Sequence, residues 1–254
     1  MLTSIRGLIA ATVFASAAVA AVPAYADDET APPAEFTVTG SVSLVSDYRF
    51  RAVSQTSGDP AIQGTINLNH SSGFYVGAWS SSIELSNVGL DPVFGGHELD
   101  LYGGWTGEVS SGLTADVGLL YYAYPGGHVG TAEFFEPYAS LTTTLGPAKA
   151  KLGATYAWKQ DALFGDDNLY LYSNLDVGIP NTPITLSGHL GYQDGSLAAD
   201  FWSSADKTTW DWSIGASAAV LGKGTIGVAY VGNGSPSISG LTDDTVVGTL
   251  SFSF

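Results

Sequence analysis

From Phe36 to the last residue, apolar side chains recur at every second position rather than at helical spacing. In the final segment, for example, Leu250 and Phe252 share one face, whereas Thr249 and Ser251 share the other. Because successive side chains of a β-strand point to opposite faces, this period predicts strands with one apolar and one polar face. Clusters of Asp, Asn, Gly and Pro separate the segments and predict turns. The pattern therefore predicts an all-β chain.

The periodic stretches number twelve. They lie near 36–49, 61–70, 74–85, 97–107, 113–123, 133–145, 148–159, 168–178, 184–192, 209–220, 224–231 and 245–254. Two architectures produce this alternation: a soluble sandwich or barrel with its apolar face inside, and a membrane barrel with that face toward lipid.

Three features favour the membrane barrel. Only 13% of residues are charged, and the polar face carries mainly Ser, Thr and Gly, which suit a confined lumen better than a free surface. Connections alternate between long and short, as in outer-membrane barrels. Aromatic residues recur near strand ends, where membrane interfaces attract them: Tyr48, Phe50, Tyr121, Tyr122, Tyr124, Trp158, Trp202, Trp210 and Trp212. We therefore predict an antiparallel up-and-down transmembrane β-barrel of about 12 strands.

The N-terminal segment predicts export. Arg6 precedes an apolar run from Leu8 to Val22, and Ala24-Tyr25-Ala26 provides small residues for signal-peptidase cleavage. The alternative, an uncleaved anchor, is disfavoured because the run is shorter than the roughly 20 residues of a spanning helix. We expect residues 1–26 to be a signal peptide, 27–35 a disordered periplasmic lead-in, and 36–254 the barrel. The expected location is the lipid bilayer of the bacterial outer membrane.

Composition and spacing disfavour several functions. With 24 acidic against 8 basic side chains, the formal charge is −16, so nucleic-acid binding is not expected. There is no Cys, and the four His residues lack metal-ligand spacing, so neither a cofactor nor a metal is predicted. Strand parity points Ser187 and His189 toward the lumen, whereas a lipid-acting enzyme needs them outside. We expect the chain not to be an enzyme.

The same parity predicts a set of charged side chains that line the lumen. It comprises Asp47, Arg49, Arg51, Glu84, Glu98, Asp100, Asp116, Glu136, Lys149, Lys151, Lys159, Asp176 and Asp211. Opposed acids and bases at a constriction would tune ion and solute selectivity. The alternative interpretation is a structural network that fills the lumen and stiffens the wall.

Several linked motifs occur in one order. They are Ser46-Asp47-Tyr48-Arg49-Phe50-Arg51, Ser54-Gln55-Thr56, Pro60-Ala61-Ile62-Gln63-Gly64, Ser72-Gly73-Phe74-Tyr75-Val76-Gly77-Ala78-Trp79, Glu98-Leu99-Asp100-Leu101-Tyr102-Gly103-Gly104 and Tyr122-Ala123-Tyr124-Pro125-Gly126. Over residues 36–254 the chain resembles the TorF family of porin-like proteins from proteobacterial outer membranes, formerly conserved hypothetical proteins. One departure is Ala52, where the family pattern suggests Gly. The resemblance implies a signal peptide, an outer-membrane barrel and a pore, but no assigned solute.

Twelve strands enclose a lumen between the filled interior of eight-stranded barrels and the water channel of porins with sixteen or more. We therefore expect a narrow outer-membrane porin through which small polar solutes diffuse passively. The alternative is a closed barrel with a structural or surface-interaction role. The expected partners are the bilayer, a small polar solute, and the barrel-assembly machinery, which would recognise the C-terminal Phe254.

Overall fold

A computed structural model describes residues 34–85, 91–127, 132–198 and 207–254. Its strands are β1 (Phe36–Val45), β2 (Arg49–Phe50), β3 (Val53–Ser54), β4 (Ala61–His70), β5 (Phe74–Ser82), β6 (His97–Ser110), β7 (Leu113–Ala123), β8 (Phe134–Leu145), β9 (Ala148–Ala157), β10 (Asn168–Gly178), β11 (Ile184–Gly195), β12 (Thr208–Val220), β13 (Gly224–Asn233) and β14 (Thr245–Ser253). The helices are short: α1 spans Asp91–Phe94, and a 3₁₀ turn spans Asp161–Leu163. Across the described ranges no helix combines the length and hydropathy that a membrane crossing requires.

Twelve of these strands form a closed antiparallel barrel. From β4 to β14, each strand pairs with the next along the chain, and β4 also pairs with β1. The seam between β1 and β14 runs in register from Ser41↔Ser253 to Val45↔Thr249 and completes the circle. The remaining strands, β2 and β3, form a small ribbon of their own within the first long connection. The predicted twelve-stranded up-and-down barrel is confirmed.

The outer face of the wall is apolar. Leu44 is 53% exposed, and similar exposure recurs on every barrel strand. The set includes Val38, Val42, Ile62, Ile66, Val76, Leu101, Val117, Leu141, Leu152, Leu171, Leu186, Ile214, Ile226, Val246 and Leu250. An apolar surface of this extent is rare on a soluble monomer, and its alternation with inward polar residues is that of a transmembrane barrel. The chain is therefore a multi-pass β-barrel of the outer-membrane type.

The two ends of the barrel differ. The end that we call the short-turn end carries connections of two to five residues: 71–73, 111–112, 146–147, 179–183 and 221–223. The opposite, long-loop end carries the connections 46–60, 83–96, 124–133, 158–167, 196–207 and 234–244. The predicted alternation of long and short connections is therefore present.

Outward aromatic rings cluster at the long-loop end. Phe135 lies between Tyr121 and Trp158, with ring centroids 4.5 and 6.1 Å away, and Trp210 packs against Tyr192 at 4.9 Å. Rings at this level are typical of the membrane interface.

Four of the predicted interface aromatics do not lie there. Tyr48, Phe50, Tyr122 and Tyr124 pack inside the lumen instead. Trp202 lies outside the described residues, as do the predicted signal peptide 1–26 and most of the predicted lead-in 27–35, so these remain predictions.

Candidate functional site in the barrel lumen

The first long connection, residues 46–60 and here called L1, folds into the lumen at the long-loop end. Its ribbon, β2 and β3, turns through Arg51 and Ala52, which both have positive φ (49° and 63°). Tyr48, Ala52 and Ser54 are almost completely buried. L1 therefore fills part of the barrel interior rather than standing above it.

Asp47 explains why the chain leaves the wall at this point. Its carboxylate accepts hydrogen bonds from Arg49 Nε (2.5 Å), Ser54 Oγ (2.6 Å) and Thr56 Oγ1 (3.1 Å). These contacts bend the segment around Asp47 and compete with continued strand pairing. Strand β1 consequently ends at Val45.

The prediction that the first strand reaches residue 49 is therefore wrong. Asp47, Arg49 and Arg51 lie on L1 rather than along one face of a wall strand.

Arg51 joins the tip of L1 to the far wall of the lumen. Its Nη2 donates to both carboxylate oxygens of Glu136 on β8 (2.7 Å each) and to Thr155 Oγ1 on β9 (3.1 Å). The guanidinium also lies 4.3 Å from the ring centre of Tyr170 on β10 and 4.6 Å from that of Phe50. Burial by itself lowers the pKa of Arg51, but the Glu136 carboxylate more than offsets this and raises it above its ordinary value. The guanidinium is therefore a permanent cation.

Arg49 joins L1 to the last long connection, 234–244. Its Nη1 donates to the carbonyl oxygens of Leu241 (3.1 Å) and Asp243 (2.9 Å). The backbone N–H of Ser54 also donates to Leu241 O (2.8 Å). Two of the long connections therefore pack together as one unit across the long-loop end.

The remaining predicted charges divide into those on lumen-facing wall positions and those beyond the strands. The first group is Glu98 and Asp100 on β6, Asp116 on β7, Glu136 on β8, Lys149 and Lys151 on β9, Asp176 on β10, and Asp211 on β12. Opposite charges face each other at one position of this group, where Asp176 on β10 and Lys149 on β9 are register partners.

Two of the predicted lumen-lining charges, Glu84 and Lys159, lie beyond the ends of the wall strands. Glu84 follows the end of β5 at Ser82, and its backbone N–H donates to Gln55 O (2.8 Å) of L1. Lys159 follows the end of β9 at Ala157 and is exposed. Neither lies on a wall strand, because strand pairing stops before these positions.

The structure adds a feature that the sequence analysis missed, a series of lumen-facing tyrosines that lie over glycines of the neighbouring strand. Direct register partners are Gly77↔Tyr102, Tyr75↔Gly104, Gly118↔Tyr138 and Gly153↔Tyr172. A Cβ at any of these glycines would come within 2.7 Å of the partner's ring or hydroxyl, so only glycine allows the ring to lie flat on the wall. The sequence signal that could have predicted this feature is a Gly and a Tyr at inward positions that face each other on neighbouring strands.

A second missed feature is a network around His189 of β11. Its Nδ1 lies 2.6 Å from Asn174 Oδ1, and its Nε2 lies 2.8 Å from Asp211 Oδ1 and 2.9 Å from the Tyr170 hydroxyl. The Tyr170 hydroxyl also donates to Asp211 (3.0 Å). The imidazole is thus fixed within the wall and links β10, β11 and β12.

These features make the lumen asymmetric. The wall from β5 to β11 carries the aromatic rings and most of the charges, whereas inward positions of β12, β13, β14 and β1 carry small side chains such as Ser217, Gly227, Thr249 and Ser43. Near the short-turn end Lys149, Asp176 and Gly227 remain partly exposed, whereas Ser217 and, level with L1, Asp211 are buried. L1 therefore narrows the lumen at the long-loop end. Among the described residues, no group of three or more His, Asp or Glu side chains could hold a metal ion.

Comparison with solved structures identifies channels of the same fold. The KdgM porin superposes with a TM-score of 0.55 at 8% identity, covering 86% of this chain and 98% of that one, and it has also been solved in complex with disordered oligogalacturonate. The NanC porin gives 0.56 at 11% identity, covering 86% and 99%. An outer-membrane channel from Pseudomonas putida F1 gives 0.52 at 11% identity, covering 90% and 99%. At these identities the likeness establishes the fold alone.

Sequence comparison gives a family. No curated protein matches the sequence. Residues 29–254, nearly the whole chain, match the family described as bacterial protein of unknown function (Gcw_chp), and the chain belongs to that family.

Proposed function

We propose that this barrel is a narrow outer-membrane channel for passive diffusion of small polar solutes, and that L1 is its constriction. The observation that carries the proposal is the two-sided wall: apolar side chains face lipid, and polar side chains line a lumen that is partly exposed from the short-turn end. Porin and channel folds among the structural neighbours support it, as does the resemblance to TorF-family porins. Residues 1–26 would direct export and be removed.

The charge of the lumen favours cationic or neutral solutes. On the wall strands, six lumen-facing carboxylates accompany two lysines: Glu98, Asp100, Asp116, Glu136, Asp176 and Asp211 with Lys149 and Lys151. Arg51 neutralises one of the carboxylates, that of Glu136. An acidic lumen attracts cations and repels anions. The oligogalacturonate of the KdgM complex is a polyanion, and we do not expect this chain to pass it.

Planar-bilayer recording tests the channel. We expect discrete conductance steps with a reversal potential that reports cation preference in a KCl gradient. Arg51→Gln should enlarge the steps or raise the open fraction, because it frees the tip of L1 from Glu136. Removing both Arg49 and Arg51 by alanine substitution should strengthen the cation preference. Lys159→Gln, the same charge change at an exposed loop position, is the matched control and should leave conductance unchanged.

The second candidate is a closed barrel with a structural or surface-interaction role, and the packing of L1 against the wall favours it. If the folded barrel and its Arg51→Gln variant both carry no current at any voltage, the channel proposal is wrong and the closed barrel is preferred. A silent wild type with a conducting variant would instead support a channel that L1 closes. Anion preference in the conducting protein would contradict the assigned solute charge.

Assembly is a further part of the proposal. Phe254 is more than half exposed and its backbone pairs with Gly40 of β1, so the final strand offers an accessible aromatic end to the barrel-assembly machinery. Phe254→Ala should reduce the amount of heat-modifiable barrel in the outer membrane. Phe252→Ala, an outward aromatic on the same strand, is its control.

A further inference from the structure

Beneath L1, Asp100 of β6 occupies an unusual environment. It is 0% exposed, and neither carboxylate oxygen has a hydrogen-bond partner in the described residues. In the barrel register Asp100 faces Trp79 on β5 and Tyr122 on β7, both inward and both almost fully buried. A carboxylate thus lies between two aromatic side chains and is buried without a hydrogen-bond partner among the described residues.

Two further groups complete this cluster. Glu98, two residues earlier on the same face of β6, is 3% exposed. Tyr48 of L1 is buried beside both carboxylates and packs against Trp79 at 5.3 Å between ring centroids. We call Tyr48, Trp79, Glu98, Asp100 and Tyr122 the Asp100 cluster.

No basic side chain balances these two acids within the described ranges. Arg51, the nearest candidate by position, is engaged with Glu136, and no ion pair in the described residues includes Glu98 or Asp100. Burying a carboxylate without a counter-charge is strongly unfavourable, so a fold that keeps two such groups together requires a compensating cation or proton.

The geometry points to an organic ammonium group as the ligand of the Asp100 cluster. Aromatic faces and a carboxylate together attract weakly hydrated cations such as quaternary or primary ammonium groups. Hard metal ions instead fill six or more positions with oxygen ligands, waters included, whereas the two carboxylates here lie among buried aromatic rings and the described residues supply no third ligand. Because Tyr48 is carried by L1, displacement of L1 would open the cluster and its return would cover the bound group.

This inference deepens the proposed function by naming a solute class, and it rests on that function only for the route of entry. Binding can be measured without transport. A barrel that binds an ammonium ligand but carries no current would refute the channel and support the binding site. A conducting barrel that binds no ammonium ligand would support the channel and refute the binding site.

The test is isothermal titration of the full chain, refolded in detergent, with choline. The neutral isostere 3,3-dimethylbutan-1-ol is titrated in parallel. We expect saturable binding of choline, and binding of the isostere weaker by about tenfold or more. Asp100→Asn and Glu98→Gln should each weaken choline binding by about tenfold or more, whereas Asp176→Asn, which neutralises a lumen carboxylate near the short-turn end, should not. Heat-modifiable gel migration identifies the folded variants, and the two cluster variants serve as independent tests.

Three results would overturn the inference. One is the absence of saturable choline binding to the folded wild type. Another is equal affinity for choline and its neutral isostere, since the site would then recognise shape alone. The third is a barrel whose thermal stability rises as pH falls and is unchanged by choline, because protons would then satisfy Glu98 and Asp100.

Discussion

Among individual residues, the Arg51–Glu136 pair holds L1 against the wall most directly. Both side chains are buried, so removing one partner leaves the other as an unpaired polar or charged group. The turn that presents Arg51 is also strained: Arg51 and Ala52 have positive φ at the two central positions of a hairpin that ordinarily favours Asn-Gly. Side-chain contacts must therefore offset a backbone cost of about 1–2 kcal/mol per residue.

Trypsin cleavage after Arg49 measures how firmly that pair holds L1. Arg51→Gln should accelerate cleavage at Arg49 by about tenfold or more, because an uncompensated Glu136 favours the displaced loop. The double variant Arg51→Gln with Glu136→Gln should be cleaved more slowly than the single variant, since two amides can hydrogen-bond without leaving a buried charge. Lys159→Gln is the control. Equal cleavage rates in all four proteins would mean that the ion pair does not restrain L1.

Among elements, the β1–β14 seam depends on a glycine. A Cβ on Gly40 would come within 2.6 Å of the Phe254 ring and 2.7 Å of the Thr65 carbonyl oxygen. The backbone N–H and carbonyl of Gly40 both hydrogen-bond to Phe254, at 3.0 and 2.9 Å. The ring of the last residue thus packs where the first and last wall strands meet.

Gly40→Ala should therefore destabilise the barrel, by about 1–3 kcal/mol, the usual range for overpacking. Gly64→Ala is the matched control: Gly64 is also an outward glycine, on the adjacent β4, and its Cβ would meet nothing closer than 3.8 Å. Urea unfolding in detergent micelles compares the two. A Gly40→Ala barrel as stable as Gly64→Ala would show that the seam has room to adjust.

The strands and the lumen were predictable to different degrees. The predicted segments 61–70 and 168–178 coincide with β4 and β10, because period-two alternation and flanking turn residues are local signals. The same parity assigns Asp100 and Glu136 to inward wall positions. The inward fold of L1 was not predictable, because it depends on contacts such as Arg49 with Leu241, which are 192 residues apart in the chain. Because residues 46–49 continue the alternation of polar and apolar side chains, the sequence pattern extended the first strand past its end at Val45.

For the whole molecule, the decisive property is which side of the wall faces lipid. Trp79 points into the lumen and is 6% exposed, whereas Trp210 points outward at the long-loop end and is 53% exposed. In a soluble β-barrel the apolar face would be inside, and a ring in the position of Trp210 would contact water. In a membrane barrel that ring lies at the interface with the acyl chains.

Single-tryptophan variants in vesicles of brominated phospholipid separate these arrangements. With the other five tryptophans replaced by phenylalanine, bromine on the upper acyl chain should quench a protein that retains only Trp210. A protein that retains only Trp79 should keep its fluorescence, because the barrel wall separates that ring from lipid. Acrylamide, a neutral aqueous quencher that an acidic lumen does not repel, should quench Trp79 weakly when Arg51 is intact and more strongly with Arg51→Gln, since displacement of L1 admits water to the lumen. Bromine quenching of Trp79 instead of Trp210 would reverse the orientation of the wall, and with it the assignment of the polar face to a solute pathway.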